Sequence, residues 1–214
     1  MKKFKIPNKI TTLIFDIDGT LYTNYLFVQE QIDVQVRHWA DLEGMTHKEA
    51  REKIADFRKK YALEHDGKKI SLGNVFKNFG IDIDTSIEWR IKLLEPEKFL
   101  APNPKLRESL ERAAKKFNLI CVTNNPVEAA RKTLEVIGID KILPNIVGLD
   151  SCKKSKPARE NIELALEITK AKPNECVSIG DRYDIDLELP IQMGMGGVLV
   201  DGAEEVMEFI DSLQ

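Results

Sequence analysis

Hydrophobic residues follow two different patterns along the chain. Between about Tyr25 and Glu95 they recur at helical spacing, beginning with the stripe of Ile32, Val36 and Trp39. Three later groups continue this spacing: Ala50, Ile54, Phe57 and Tyr61, then Val75, Phe76 and Phe79 closed by Gly80, then Ile87, Ile91 and Leu94. This part of the chain is therefore predicted to be all-helical.

From Pro102 onward, short apolar runs alternate with helical patterns. The runs are NLICVT (118–123), a weaker one near 142–147, ECVSIG (175–180) and GVLVD (197–201). The first run is followed by NPVEAARKTLEVIG, where Asn125 is expected to cap a helix and Gly138 to end it. Continuously apolar strands that alternate with helices predict an α/β fold, with a doubly wound parallel sheet covered by helices on both faces.

The apolar run at residues 13–15 belongs with the later strands, which makes the helical segment an insertion after the first strand. The predicted organisation is an α/β core from residues 1–23 and 98–214, with a helical domain at residues 24–97. The expected joints are Tyr22–Asn24 and the proline-rich stretch Glu95–Pro104.

Composition narrows the class of protein. At 214 residues the chain can form one sizeable core and a smaller second domain. A net charge of -3 gives no indication of a nucleic-acid or anionic-membrane partner, and no apolar run approaches the roughly 18 residues of a membrane span. The three cysteines show no paired spacing, so a cytoplasmic location is expected.

Chemically reactive residues recur where the predicted strands end. In an open parallel sheet, ligands bind outside the carboxyl ends of the strands. The groups found there are Asp16-Ile17-Asp18-Gly19-Thr20, Thr123-Asn124, Lys156 in the loop after the weak strand, and Gly180-Asp181 followed by Asp184 and Asp186. Each group alone is also typical of turns and helix caps. Their occurrence in order, each at a strand end or in the following loop, indicates one shared site.

This set of residue types suits phosphoryl transfer. Clustered carboxylates repel a phosphate unless a divalent cation intervenes, and Mg²⁺ prefers such oxygen ligands. A carboxylate can attack phosphorus to form an aspartyl-phosphate, while a second acid protonates the leaving oxygen and then activates water. Asp16 and Asp18, one residue apart at a strand end, can supply these two roles.

The four groups also resemble a known family. D-x-D-x-T, a strand-ending Thr, a lysine and G-D-x-x-x-x-D occur in this order in the haloacid dehalogenase-like superfamily, and here they read DIDGT, VTN, SKP and GDRYDID. The similarity extends over essentially the whole chain. It implies the Rossmann-like core of that superfamily, and the inserted helical segment resembles its cap domain, which excludes water and selects substrate by opening and closing.

The resemblance assigns roles to the matching positions. Asp16 would be the nucleophile and a Mg²⁺ ligand. Asp18 would be the general acid and base, with its backbone carbonyl also touching the metal. Thr123 and the backbone N–H of Asn124 would hold the phosphoryl oxygens, and Lys156 would neutralise the nucleophile and the phosphate.

The last motif implies the remaining metal ligands. Asp181 would bind Mg²⁺ directly. The spacing favours Asp186 as the second acid of the motif, with Asp184 close enough to compete. Arg182 and Tyr183 are expected to be loop or surface residues.

The function that the resemblance implies is a Mg²⁺-dependent phosphatase acting on a small-molecule phosphomonoester. Dehalogenases of the superfamily lack the second aspartate, so Asp18 argues against dehalogenation. The stretch DGTLY is similar to pyrimidine-nucleotidase-like members, which adds a nucleoside monophosphate to sugar phosphates and phosphoglycolate as candidate substrates.

Two other functions remain open at this stage. One is a phosphomutase of the same fold, similar to β-phosphoglucomutase. The other is a non-catalytic phosphate-binding or receiver-like signalling module, although receiver domains are shorter and lack the inserted segment. The sequence does not distinguish a monomer from a homodimer.

Overall fold

A computed structural model describes residues 1–68 and 70–213. The chain forms two compact units. One combines Met1–Tyr25 with Glu95–Gln214, and the other is Leu26–Leu94. The insertion expected from the sequence, residues 24–97, spans the second unit with a few flanking residues on each side.

The first unit is built around a six-stranded sheet. Its strands are β1 (Lys2–Phe4), β2 (Thr12–Phe15), β3 (Asn118–Val122), β4 (Ile146–Val147), β5 (Cys176–Gly180) and β6 (Gly196–Leu199). They lie in the order β1-β6-β5-β2-β3-β4. All neighbouring strands are parallel except β1, which pairs antiparallel with β6. The predicted α/β fold with a parallel sheet is confirmed.

The sequence analysis missed strand β1. Lys2 and Lys3 are exposed and carry charged side chains, so this segment shows no apolar run. Charged residues are typical of edge strands, because they discourage pairing with other chains. Sheet hydrogen bonding to β6 at the edge, rather than burial, defines this strand.

Strand β2 lies at the centre of the sheet and is buried along its whole length. Its last residue, Phe15, lies opposite Cys121 of β3 on one side and Ile179 of β5 on the other. The carboxyl ends of these three strands are therefore level with one another. The residues that directly follow β2, β3 and β5 in the sequence therefore lie together at this edge of the sheet.

Helices connect the strands and cover the sheet. They are α5 (Pro104–Ala114), α6 (Val127–Ile137), α7 (Leu149–Cys152), α8 (Arg159–Thr169), α9 (Glu188–Gln192) and α10 (Ala203–Asp211), with a π-helical turn at Tyr183–Leu187. Ile14 of β2 and Ile120 of β3 pack in one apolar cluster with Ile162 of α8. Among the described residues, no helix has the length and apolarity needed to cross a membrane.

The start of α6 differs from the expectation. Asn125 does not cap this helix; Pro126 occupies the cap position and makes no side-chain cap hydrogen bond. The first helical N–H, that of Val127, donates instead to Oδ1 of Asp150 at 2.9 Å. The carboxylate suits the positive end of the helix dipole, and the side chain of Asn125 is left for another partner. Gly138, with a φ of 80°, ends the helix as predicted.

The described residues of the second unit form four helices, which precede the return to the sheet. The bounds are Tyr25–Glu43 for α1, His47–Glu64 for α2, Leu72–Asn78 for α3 and Ile83–Leu93 for α4. Its core is aromatic: the ring of Phe76 lies 5.8 Å from that of Trp39 and 5.6 Å from that of Trp89, both edge-on.

The prediction that Ile32 belongs to the apolar stripe of α1 is wrong. Ile32 is 44 % exposed, whereas Gln35 is fully buried. Nε2 of Gln35 donates to the carbonyl of Gln31 at 2.6 Å, and its Oε1 accepts from Ser86 Oγ at 3.1 Å. Because both ends of this amide are paired, its burial is tolerated at a position that periodicity alone would assign to a polar face.

Replacement of Phe76 by alanine should destabilise the helical unit by about 3–5 kcal/mol, because it removes a buried ring and leaves a cavity. Both tryptophans of the chain lie in this unit, so urea unfolding followed by tryptophan fluorescence reports on it directly. Leu63→Ala, at an α2 position that is 81 % exposed, is the control and should change stability by less than about 0.5 kcal/mol. Equal effects would contradict the assigned core.

Candidate active site

Asp16 is the first residue beyond the central strand. Its backbone N–H donates to the carbonyl of Ile179 at 2.9 Å, which extends the pairing of β2 with β5 by one residue. The side chain is buried. A carboxylate in this position is costly unless cationic or hydrogen-bonding groups face it.

Lys156 supplies that cation. Its Nζ lies 2.5 Å from Oδ1 of Asp16 and 2.7 Å from Oδ1 of Asp186, and it donates to the carbonyl of Val122 at 2.8 Å. The lysine is only 7 % exposed. Its backbone N–H donates to Oδ1 of Asn124 at 2.6 Å, so the residue after Thr123 anchors the lysine loop. The three donated bonds satisfy the whole ammonium group.

Three carboxylates form a cluster beside this lysine. Oxygens of Asp16, Asp181 and Asp186 lie within 4.8 Å of one another. Asp186 is held in place because its Oδ2 accepts from the backbone N–H of Arg182 at 3.1 Å. Of the two acids that the spacing left open, Asp186 enters the cluster, whereas Asp184 is exposed.

The cluster has the donor set of a magnesium site. All its ligand atoms are carboxylate oxygens, which Mg²⁺ prefers. Oδ1 of Asp181 is buried and accepts no hydrogen bond from any described residue, although the Nε of Arg182 lies 3.6 Å from it. A buried oxygen without a hydrogen bond calls for another partner, and a cation between these carboxylates would provide one.

Two glycines let the backbone approach these acids closely. Gly19 has a φ of 85°, and a Cβ built there would lie 2.5 Å from Oδ2 of Asp181. At Gly180 a Cβ would lie 2.4 Å from the Cβ of Asp186. Both distances are shorter than real contacts allow, so any larger residue would displace a carboxylate of the cluster.

Asp18 is not part of this cluster, and two other residues contact its carboxylate. Its Oδ1 accepts a hydrogen bond from the hydroxyl of Tyr22, and its Oδ2 accepts one from Nδ2 of Asn125 at 2.9 Å. Neither residue is expected at the site from the sequence. Tyr22 stands out there only as part of the stretch DGTLY, and Asn125 is expected to cap a helix because Asn is common at that position.

Thr123 and Asn124 follow strand β3 at the same edge. The hydroxyl of Thr123 is buried and its Oγ1 accepts from the backbone N–H of Asn125 at 3.1 Å. The side chain of Asn124 is used on the lysine loop. Their expected contacts to a phosphoryl group remain predictions.

Electrostatics at the site are dominated by burial. Burial raises the pKa of Asp16 to about 7; the ammonium of Lys156 opposes the rise, whereas Asp186 and Asp18 add to it. Burial likewise raises the pKa of Asp181. For Lys156 burial acts to lower the pKa, but the carboxylates of Asp16 and Asp186 outweigh it and hold the pKa above its ordinary value, so the ammonium stays charged.

Arg182 is partly a surface residue, as expected, but it also faces the site. Its Nε lies 3.6 Å from Oδ1 of Asp181 and 3.9 Å from Oδ2 of Asp186. Burial acts to lower its pKa, and the surrounding carboxylates, Asp186 first, outweigh this effect and raise it.

Acidic and basic groups gathered beyond the carboxyl ends of a parallel sheet define a class of α/β enzymes that bind their ligands at this edge. Within that class, the sequence model of the haloacid dehalogenase-like hydrolases matches residues 10–194. The chain therefore belongs to the haloacid dehalogenase-like hydrolase family.

Individual relatives agree with this family. The pyrophosphatase PpaX of Listeria monocytogenes is 27 % identical over 95 % of this chain and 91 % of its own length. Among solved structures, a HAD phosphatase from Thermococcus onnurineus is 20 % identical and covers 94 % of this chain and 98 % of its own, with a TM-score of 0.62. The HAD-hydrolase YfnB from Bacillus subtilis, solved with magnesium, is 16 % identical and covers 95 % of this chain and all of its own, with a TM-score of 0.60.

The family makes this protein a hydrolase, and the names of several relatives indicate the hydrolysis of phosphate compounds by those proteins.

The raised pKa of Asp16 predicts a pH-dependent stability in chelator. The folded protein binds this proton more tightly than the unfolded chain, so the contribution is full at low pH and is lost as the pH rises from 3.8 to about 7. The thermal unfolding midpoint of the wild type should fall over this range relative to that of Asp16→Asn, and then run parallel to it above pH 8.

Calorimetric scans at several pH values measure this difference. Asp184→Asn, which changes an exposed carboxylate on the π-helical turn of Asp186, should follow the wild type. A wild type that gains stability relative to Asp16→Asn as the pH rises would reverse the predicted sign.

Proposed function

We propose that this protein is a Mg²⁺-dependent phosphatase that cleaves a small phosphate ester through an aspartyl-phosphate on Asp16. The observation that carries the proposal is the buried contact between Asp16 and Lys156 at the end of the central strand. A buried carboxylate is a useful nucleophile only if a cation limits the charge that builds up as an anionic phosphate approaches. Lys156 is that cation.

The reaction has two steps. In the first, a carboxylate oxygen of Asp16 forms a bond to phosphorus, the bond to the leaving oxygen breaks, and Asp18 donates a proton to that oxygen. In the second, Asp18 takes a proton from water as the water attacks phosphorus, which breaks the bond to Asp16 and releases inorganic phosphate. Thr123 and the backbone N–H of Asn124 are expected to hold the oxygens of the transferred group.

Asp16, Asp181 and Asp186 would hold the Mg²⁺ ion, with the backbone carbonyl of Asp18 as the further ligand expected from the sequence. When bound, the ion offsets the negative charge that the carboxylates and the phosphate share. The buried Oδ1 of Asp181, which lacks a hydrogen bond, supports this assignment, as does the magnesium in the related YfnB structure.

Several substrates are candidates. The name of the PpaX relatives favours pyrophosphate, which is a phosphoanhydride and the alternative to an ester. The stretch DGTLY favours a nucleoside monophosphate, with sugar phosphates and phosphoglycolate as further candidates. The helical unit, Leu26–Leu94, is the proposed cap that selects among them. The three cysteines are free thiols, as is typical of a reducing compartment, so we propose a cytoplasmic enzyme.

Phosphate release from a panel of substrates tests the mechanism. The panel contains pyrophosphate, nucleoside monophosphates, sugar phosphates, phosphoglycolate and 4-nitrophenyl phosphate, each with Mg²⁺ and with chelator. Release should require Mg²⁺, and Asp16→Asn should lower it by about 10⁴-fold or more, because the attacking group is lost. Asp18→Asn should lower it by about 10²–10⁴-fold and accumulate the phosphoenzyme, detectable by mass spectrometry.

Asp56→Asn, an exposed carboxylate of α2, is the control and should keep wild-type activity. An Asp16→Asn variant that released phosphate at the wild-type rate would overturn the mechanism. Transfer of the phosphoryl group to a second sugar hydroxyl in place of water would favour the phosphomutase.

Gly19→Ala tests the metal site separately from turnover. A Cβ there would displace the carboxylate of Asp181, so calorimetric titration should give a Mg²⁺ affinity lower by about 10-fold or more. Gly44→Ala is the matched control, since Gly44 also has a positive φ, 67°, but an added Cβ meets nothing within 4 Å. Both variants carry about 1–3 kcal/mol of backbone strain. Equal Mg²⁺ affinities in the two variants would mean that Asp181 is not a ligand.

A further inference from the structure

We propose that Tyr22 and Asn125 form a two-donor clamp that positions the carboxylate of Asp18 for proton transfer. This inference rests on the proposed function, in which Asp18 serves both phosphoryl-transfer steps, and it adds two positioning residues that act through it. Each donates to a different oxygen of Asp18: the Tyr22 hydroxyl to Oδ1, and Asn125 Nδ2 to Oδ2 at 2.9 Å.

The two hydrogen bonds fix the orientation of the carboxylate and still allow it to exchange a proton. Asp18 lies in a loop beyond the strand end, where its side chain could rotate about the Cα–Cβ and Cβ–Cγ bonds. A single donor would leave one of these rotations free, whereas donors on both oxygens define the plane of the carboxylate. A carboxylate can accept about four hydrogen bonds, two at each oxygen, so one donor at an oxygen is compatible with a proton from the leaving group or from water at that oxygen.

Local backbone structure brings Tyr22 to this position. The chain turns tightly after Ile17, whose carbonyl accepts from the N–H groups of Thr20 at 3.2 Å and Leu21 at 2.9 Å. Gly19 permits this turn with its φ of 85°. Tyr22, four residues after Asp18, is 7 % exposed, so its ring is locked in the fold and its hydroxyl has a defined direction.

Asn125 is fixed by its backbone on both sides. Its N–H donates to Oγ1 of Thr123 at 3.1 Å, and its carbonyl accepts from the N–H of Leu149 at 2.9 Å. Because Asp150 receives the first N–H of α6, the amide of Asn125 is not used as a helix cap. Asn125, which is 6 % exposed and lies just before α6, therefore directs its side chain to Asp18.

The test compares two esters whose leaving groups differ in their need for a proton. An alkyl phosphate needs a proton on its departing oxygen, whereas 4-nitrophenolate leaves without one. Tyr22→Phe removes only a hydroxyl, so the fold should persist. Its kcat/KM, which reports the transfer to Asp16, should fall about 10-fold or more for the alkyl ester that the wild type cleaves best, and less than about 3-fold for 4-nitrophenyl phosphate. Inhibition by orthophosphate should be unchanged.

Matched variants isolate the clamp. Tyr25→Phe makes the same chemical change at a residue that is 70 % exposed and should match the wild type with both esters. Asn125→Asp replaces the donor by a second carboxylate and should give the same ester-dependent loss, with the exposed Asn118→Asp as its control. In an Asp18→Asn background, Tyr22→Phe should have no further ester-dependent effect, because in this proposal the hydroxyl contributes to proton transfer through Asp18.

The outcomes separate the two proposals. A wild type that releases no phosphate from any compound of the panel, pyrophosphate included, refutes the proposed function itself. If the wild type is active but Tyr22→Phe changes both esters equally, or neither, then the proposed function stands and the clamp is wrong. A loss that persists at full size in the Asp18→Asn background also overturns the clamp.

Discussion

The arrangement of the site depends on one buried positive charge. The ammonium of Lys156 contacts Asp16, Asp186 and the carbonyl of Val122, and these groups come from four separate stretches of the chain. A buried ion pair that loses one partner leaves an uncompensated charge, which is strongly destabilising. The ends of β2 and β3, the lysine loop and the π-helical turn must therefore all be in place together for the site to exist.

This single cation does not balance the acids around it. Asp16, Asp181 and Asp186 bring three carboxylates within 4.8 Å of one another, whereas the cations facing them in the described part of the chain are the buried ammonium of Lys156 and the more exposed guanidinium of Arg182. Burial raises the pKa of Asp16 to about 7, and the carboxylates of Asp186 and Asp18 add to the rise. An excess of buried negative charge is unfavourable by itself, and a divalent cation would relieve it and allow an anionic phosphate to approach. The excess of carboxylates over cations therefore supports the proposed Mg²⁺ site.

Some polar side chains in the loops beyond the sheet hold the local structure, and others contact the proposed catalytic residues. Asp150 serves the N-terminus of α6, Asn124 anchors the lysine loop, and Asn125 contacts Asp18. In the proposed mechanism Asp18 moves a proton in both steps, and the pair of donors directed at Asp18 would hold it in place for that role. The contacts of Asp18 therefore agree with hydrolysis of phosphate compounds, the activity that the relatives carry in their names.

The sequence by itself determined the class of fold and the order of the reactive groups. Apolar runs and helical periods are local, so they predict strands and helices, and parallel strands bring their carboxyl ends to one edge. Tertiary structure decided the rest. It added the charged edge strand β1, chose Asp186 over Asp184 for the acid cluster, and gave Asp18 the partners Tyr22 and Asn125. Those choices depend on register and on contacts between residues as far apart as Asp18 and Asn125, 107 positions along the chain, and periodicity carries no information about which side chains meet across that distance.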